Sequence, residues 1–374
     1  MVLPLAAIIR VWWLGGFHKM NSPEKKILFV KNRLDKIFKK YEFNPEDKKV
    51  TLALFKKLKS YYEFLYKFES KVKNSKNIDK FLKKEFDRHQ KEIILEAYFF
   101  EKKVNSLIIR KKIRELFRNT VSEYIFKSSI IKRAYEKPRG YPGDCFVFEM
   151  FYDGNSTAKG IGYYFDNWTL RHNLPKGVIY RKNKLKSLLK ELIRNSKNKL
   201  DILNIGCGSS REIRELIVEK NFNINNAVFT CLDQDEEALS FSEKSIKKIN
   251  PNIDISFLKK DILSIIGLSK RKNDLKKQDI IYSVGVADYF LKTTFENFIR
   301  FCCSLLKPEG KLIIPLCSSH NPKLYVPLRW FCEWNFYSHD VNNIKDFIKN
   351  ELQIKKVKII WERQNPIFFI IIEK

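Results

Sequence analysis

Apolar residues recur at intervals of three to four from about Ser22 to Lys137, with lysines filling the positions between them. In "TLALFKKLKSYYEFLYKF" the residues Leu52, Leu54, Phe55, Leu58, Tyr62, Leu65 and Tyr66 fall near one stripe, with lysines opposite. That period predicts amphipathic helices. Glycine is absent from the whole stretch, which agrees. Ser22 before Pro23 marks a helix start, because serine caps the first turn and proline suits its first position. We therefore expect an all-helical domain over 22–136, with His89 on its surface.

The pattern changes at "KPRGYPGDCFVFEMFYDG", residues 137–154, where three glycines and two prolines end the helical run and predict a shaped loop. Helical periodicity returns between Val178 and Ile193. From Leu200 onward, strand-like runs alternate with helical ones. The expected strands are Asp201–Ile205, Ala227–Leu232, Ile253–Leu258, Asp279–Ser283, Lys311–Pro315, Ile354–Trp361 and Pro366–Ile372. Such alternation predicts a mostly parallel sheet with helices on both faces. The last two runs, separated only by "ERQN", read as an antiparallel hairpin at the edge. The expected fold is thus α/β: a doubly wound, mostly parallel seven-stranded sheet over 195–374, a linker and lid region over 137–194, and the N-terminal helical domain.

A chain of 374 residues with 44% hydrophobic content has room for two such domains. The net charge of +29 suggests a polyanionic partner, but the lysines are scattered through nearly every segment. We read them as solvated helix faces and expect no specific nucleic-acid partner. The seven cysteines form no C-x-x-C pair and no cluster with histidine, so neither a metal site nor a disulfide framework is expected. A reduced cytoplasmic location fits. The first 19 residues are apolar but interrupted by Arg10, and too short for a membrane span. They lack the features of a signal peptide. Residues 1–21 are read as an extension, with peripheral membrane contact through Trp12, Trp13 and Phe17 as the alternative.

The chemistry begins at "LDILNIGCGSSREIRELI", residues 200–217. Gly206 and Gly208 end the first strand, where open parallel sheets bind ligands and where a missing Cβ admits close approach. Ser209 with Glu212 offers a capping box for the next helix. A dinucleotide turn would carry a third glycine at 211, where this chain has arginine. The turn therefore favours a nucleoside ligand without pyrophosphate. Asp233, ending the second strand, lies where a carboxylate accepts from ribose hydroxyls. Asp261 follows the third strand, placed to accept from an adenine amino group. Asp279 begins the fourth strand, whose end faces the reacting centre.

With these motifs the sequence resembles the class I S-adenosylmethionine (SAM) dependent methyltransferases, whose fold is Rossmann-like, across about residues 195–374. "KPRGYPGD", "NIGCGSSRE", "CLDQDEEAL", "IYSVGVADYF" and "NPKLYVPLRWFCEWNFYSHD" are further similar to the bacterial family that makes the extracellular factor 3-hydroxypalmitic acid methyl ester. Glu309 in "LKPEGKLII" stands where a glycine is common, and "SHD" at 338–340 departs from the usual tyrosine and arginine.

The resemblance implies SAM as cofactor, a small lipid-like hydroxy acid as substrate, methylation of its carboxylate and a role in quorum sensing. A carboxylate is already nucleophilic, so alignment and desolvation matter more than a base. Asp288, Tyr289 and Tyr141 are the candidates for catalytic positions. Gly206, Cys207, Gly208, Asp233, Gln234, Asp261, Ile262 and Ser283 form the candidate cofactor set, joined from the 137–154 loop by Arg139 and Asp144. In a lid, Asp144 would hold the methionine amino group or Arg139 a carboxylate. Arg181 reads as a helix-surface residue, and Trp330 and Trp334 as core. Two other readings stay open: an RNA or protein methyltransferase using the basic surface, and a catalytically silent SAM-binding scaffold.

Overall fold

The computed structural model describes residues 22–73, 79–267, 275–361 and 366–374. The extension expected over 1–21, with Arg10, Trp12, Trp13 and Phe17, lies outside the described residues, as does the "ERQN" connection. The chain divides into two compact units. One comprises Met1–Pro142, Gly154–Arg171 and Lys323–Trp334; the other comprises Gly143–Asp153, His172–Pro322 and Asn335–Lys374.

The first unit is helical, as the period of its sequence predicts. Its helices include Pro23–Lys40, Pro45–Val72, Lys80–Lys103, Leu107–Ile125 and Ser129–Glu136. Ser22 caps the first, its Oγ accepting from the Lys25 N–H, and Pro23 follows. On Pro45–Val72 the buried stripe runs through Leu54, Leu58, Tyr61, Tyr62, Leu65, Phe68 and Val72. Leu52 and Tyr66, expected on that stripe, are instead exposed. Aromatic rings fill the core, with Phe117 edge-on to Trp330 at 5.0 Å. Trp330 belongs here because Glu101 accepts from its indole N–H at 2.8 Å and Arg118 donates to its carbonyl at 3.0 Å. His89 is not a plain surface residue, since its ring stacks on Phe64 at 3.8 Å.

The second unit is built on seven strands: β1 (Leu200–Ile205), β2 (Ala227–Asp233), β3 (Ile255–Lys259), β4 (Gln278–Ser283), β5 (Leu306–Cys317), β6 (Lys356–Trp361) and β7 (Ile367–Glu373). Their order is β3-β2-β1-β4-β5-β7-β6, with β1 to β5 parallel and β7 antiparallel to both its neighbours. This is the expected doubly wound sheet with an antiparallel hairpin at its edge. Alternate strand residues feed two cores. Leu203, Ile205, Ile281 and Leu312 join Phe298 and Phe347 on one face. Ile202, Phe229, Ile280 and Ile313 join Leu185, Ile213 and Ile246 on the other. Burial on both faces is why these strands are nearly continuous apolar runs.

β5 is longer than the expected Lys311–Pro315. It starts at Leu306 and absorbs the "KPEG" turn as a bulge, since Gln278 pairs with Leu306 and Ile280 with Lys311. Within it Glu309 has φ +62°, the left-handed conformation that glycine adopts at least cost.

Candidate functional site

The chain order reverses at β1, which has β2 on one side and β4 on the other, so its carboxyl end opens the crevice where such sheets bind ligands. There Gly206 and Gly208 take φ of +69° and +52°. The Gly206 and Cys207 N–H groups both donate to the Leu232 carbonyl, at 2.7 and 3.0 Å. This bends the chain across the end of β2. A Cβ on Gly206 would lie 2.1 Å from Val286 Cγ2 and 3.6 Å from Ile262 Cδ1, so glycine there is a packing requirement.

The Asp233 carboxylate accepts from the Gly208 N–H at 2.8 Å and the Asp235 N–H at 3.0 Å. Burial pushes its pKa up, and these backbone hydrogen bonds oppose that rise. Asp144, fully buried, heads helix Cys145–Asp153, its Oδ1 accepting from the Val147 N–H at 2.9 Å. Burial, with the fields of Asp144, Asp235, Asp233 and Glu149, pushes the Cys145 thiol up to about 12. The thiol thus sits among four carboxylates beside the glycine turn. The structure brings Gly208, Asp144 and Asp233 to one end of the sheet, although Asp144 is 89 positions from Asp233 in the chain.

Glu149 ties this helix down: it accepts from Ser209 Oγ at 2.6 Å, Arg211 at 2.8 Å and Arg214 at 2.5 Å. The expected capping box of Ser209 and Glu212 does not form. Ser210, with φ +46°, occupies the cap position without a side-chain bond. Glu212 turns inward instead and accepts from the Tyr282 hydroxyl at 2.8 Å and Asn204 Nδ2 at 3.1 Å. Burial pushes its carboxyl pKa up.

Gln234 and Asp261 lie exposed on the rim. Asp261 caps its own turn, accepting from the Leu263 N–H at 3.1 Å and Ser264 Oγ at 2.7 Å. Ile262 is buried next to Gly206. Ser283, at the end of β4, is fully buried, and its Oγ has no hydrogen-bond partner among the described residues. Asp279 begins β4, as its place in the sequence says, and so lies at the end away from the glycine turn, where it accepts from Lys307 and the Asp201 N–H, both at 2.7 Å. Its role there is to join strand starts. Arg139 and Tyr141 are half-buried and fall in the helical unit.

Arg181 is a correction. It lies on helix Asn173–Asn195 with only 4% of its surface exposed. Its guanidinium rests on Phe148 at 5.0 Å and faces Asp288 at 3.9 Å. A Cβ on Gly285, past the end of β4, would come within 2.9 Å of it. Among the described residues the buried Arg181 Nε has no hydrogen-bond partner. Asp288 accepts from the Cys317 N–H at 2.8 Å; burial pushes its carboxyl up while Arg181 and His339 oppose that rise. Its neighbour Tyr289 is half-buried in the turn Ala287–Tyr289. The lysines and asparagine that follow Arg181 in "VIYRKNKL" gave no sign of its burial, whereas Glu149 stands in an apolar run, "FVFEMFY", that did hint at its inward setting.

Residues 196–365 match the family described as Methyltransferase domain. That span is a methyltransferase domain. Its cofactor is S-adenosylmethionine. No curated protein is matched by the chain. Among solved structures, the methyltransferase is similar in fold to a possible exported protein from Bordetella parapertussis, with 12% identity, a TM-score of 0.51, and 89% of this chain and 99% of that one covered. Magnesium protoporphyrin IX methyltransferase from Synechocystis, with bound SAH, aligns at 13% identity and a TM-score of 0.46 over 65% of this chain and 98% of that one. The N-methyltransferase NodS from Bradyrhizobium japonicum aligns at 15% and 0.37 over 51% and 86%.

The residues at the turn fit this cofactor by charge. Carboxylates dominate, which suits a sulfonium, an ammonium and ribose hydroxyls, while a pyrophosphate would be repelled. The nearby cations Arg211 and Arg214 are held by Glu149. Among the described residues no helix is long and apolar enough to cross a membrane, and no group of His, Cys, Asp or Glu could hold a metal ion. All seven cysteines are free and buried.

Proposed function

We propose that this methyltransferase acts on the carboxylate of a lipid-like hydroxy acid, such as 3-hydroxypalmitic acid, and produces its methyl ester. The observation that carries the reading is Arg181: a buried guanidinium past the end of β4, with an Nε that no group among the described residues satisfies. A buried arginine fork is the group that recognises a carboxylate in two-point fashion. Asp288 keeps that fork in place from one side and Phe148 from its face.

S-adenosylmethionine, when bound, supplies a methyl group on positively charged sulfur. Asp233 would hold ribose hydroxyls with the lone pairs that Gly208 and Asp235 leave open. Asp144 would take the methionine ammonium, and Gln234, Asp261 and Ile262 would border the adenine. Cys207 and Ser283 line the turn and the end of β4. A carboxylate acceptor needs no proton removed, so Asp288 and Tyr289 position the acceptor end and carry no proton. Asp288 suits that part, since its carboxylate is already engaged by Cys317 and Arg181.

The test is incubation of the purified protein with methyl-labelled SAM and a set of acceptors: 3-hydroxypalmitate, palmitate, a fatty alcohol, a fatty amine and bulk RNA. A methyl ester releases labelled methanol in mild alkali, whereas an ether or N-methyl product does not. Alkali-labile label on the hydroxy acid is expected, with Arg181→Gln raising KM for it. Alkali-stable label, or label confined to RNA or protein, would overturn the reading.

A further inference from the structure

The helical unit carries one surface on which apolar and basic residues are concentrated. Helices Lys80–Lys103 and Leu107–Ile125 meet at a three-residue turn, Val104, Asn105 and Ser106. The turn is well built. Val104 is fully buried, Ser106 caps the second helix through the Ile109 N–H, and Arg110 Nε donates to the Val104 carbonyl. Yet Leu107 is 74% exposed, Ile108 52% and Phe99 47%. A tight, capped turn holds these side chains out in water, where each forgoes the favourable burial open to a large apolar group.

Charge at the same tip is one-sided. Lys102, Lys103 and Lys111 are exposed around the apolar residues. Glu101 is the only acid between positions 97 and 114, and it points inward to Arg114, Arg329 and the Trp330 indole. Residues 97–114 therefore present exposed apolar side chains and exposed lysines, with no exposed carboxylate among them. RNA would be served by the lysines alone and has no use for exposed leucine and isoleucine. A bilayer with anionic headgroups uses both: lysines meet the headgroups and the aliphatic side chains enter the acyl boundary.

We propose that this helix-turn-helix tip, with Leu107, Ile108 and Phe99 leading and Lys102, Lys103 and Lys111 flanking, seats the enzyme on an anionic lipid surface. It is independent of which acceptor is methylated.

The experiment is flotation of the full-length protein with vesicles of phosphatidylcholine alone and of phosphatidylcholine with a minor fraction of phosphatidylglycerol. Binding is expected only to the anionic vesicles. The double change Leu107→Ser with Ile108→Ser should weaken it by at least about tenfold, and each of Lys102→Gln, Lys103→Gln and Lys111→Gln by about fivefold. Phe81→Ser is the control, since Phe81 is 76% exposed at the other end of the same helix. Because the native cysteines are all buried, Leu107→Cys accepts a polarity-sensitive dye selectively, and its emission should shift to the blue with anionic vesicles. Circular dichroism checks that the variants fold. Absent binding to anionic vesicles, equal loss with Phe81→Ser, binding that depends on the lysines but not on Leu107 and Ile108, or an unshifted dye would each overturn the proposal.

Discussion

The Arg181 guanidinium and the Asp288 carboxylate face each other at 3.9 Å with both side chains more than nine-tenths buried. Neither stands alone: Phe148 supports the cation and the Cys317 N–H the anion. Removing one partner leaves a charge in the interior. Arg181→Ala should therefore cost about 3–5 kcal/mol of stability. Replacing both, Arg181→Met with Asp288→Asn, should restore most of it. Urea denaturation measures each variant, and a double variant no more stable than the single one would refute the coupling.

The two glycines of the turn should respond differently to the same substitution. Alanine at 206 places its Cβ 2.1 Å from Val286 Cγ2 at a φ of +69°, so it must displace a neighbour as well as strain the backbone. At 208 the new Cβ would meet Cys145 Cβ at 3.5 Å, an ordinary contact, leaving only the left-handed backbone. Gly208→Ala should cost about 1–2 kcal/mol, and Gly206→Ala clearly more. Adding Val286→Ala should recover part of the loss at 206 and none at 208, as thermal denaturation would register.

Glu309 offers a stabilising change. Its φ of +62° strains an L-residue, and its N–H bond to the Lys374 carbonyl at 3.0 Å does not need the side chain. Glu309→Gly removes the strain but adds backbone freedom to the unfolded chain, for a net gain of about 0.5–1 kcal/mol. A lower urea midpoint would contradict this account of the bulge.

Acid should weaken the start of helix Asn173–Asn195. Burial pushes the His172 imidazole down to about 4, and its Nδ1 accepts from the Leu174 N–H at 3.5 Å, a bond only the neutral ring can make. The folded chain thus excludes a proton that the unfolded chain binds. Its contribution is full above about pH 6.5, the ordinary histidine pKa, and is lost as pH falls towards 4. His172→Asn keeps a capping oxygen and does not titrate. The stability difference between the two proteins should shift by at most about 2 kcal/mol between pH 7 and pH 5, in favour of the variant at the lower pH. An unchanged difference would exclude His172 as the source of acid sensitivity.

The pattern of apolar residues by itself determined that the amino-terminal region is helical, that seven strands follow, that five run parallel and that the last two form a hairpin. These features rest on local periodicity and on the need to bury apolar faces, which neighbouring residues state directly. The glycine turn and Asp233 were legible for the same reason, since both belong to consecutive strand ends. Asp279 was legible as a strand start, but its partners there, Lys307 and the Asp201 backbone, come from elsewhere in the chain and were not. Tertiary structure alone buried Arg181 against Phe148 and Asp288, gathered Glu149 onto Arg211 and Arg214, and turned Glu212 from a helix cap into the partner of Tyr282. It also drew Lys323–Trp334 into the helical unit, through Glu101 and Arg118. Each of these depends on a partner far along the chain. A charged side chain looks the same in sequence whether water or an opposite charge surrounds it, so its burial was decided only when folding brought that partner within reach.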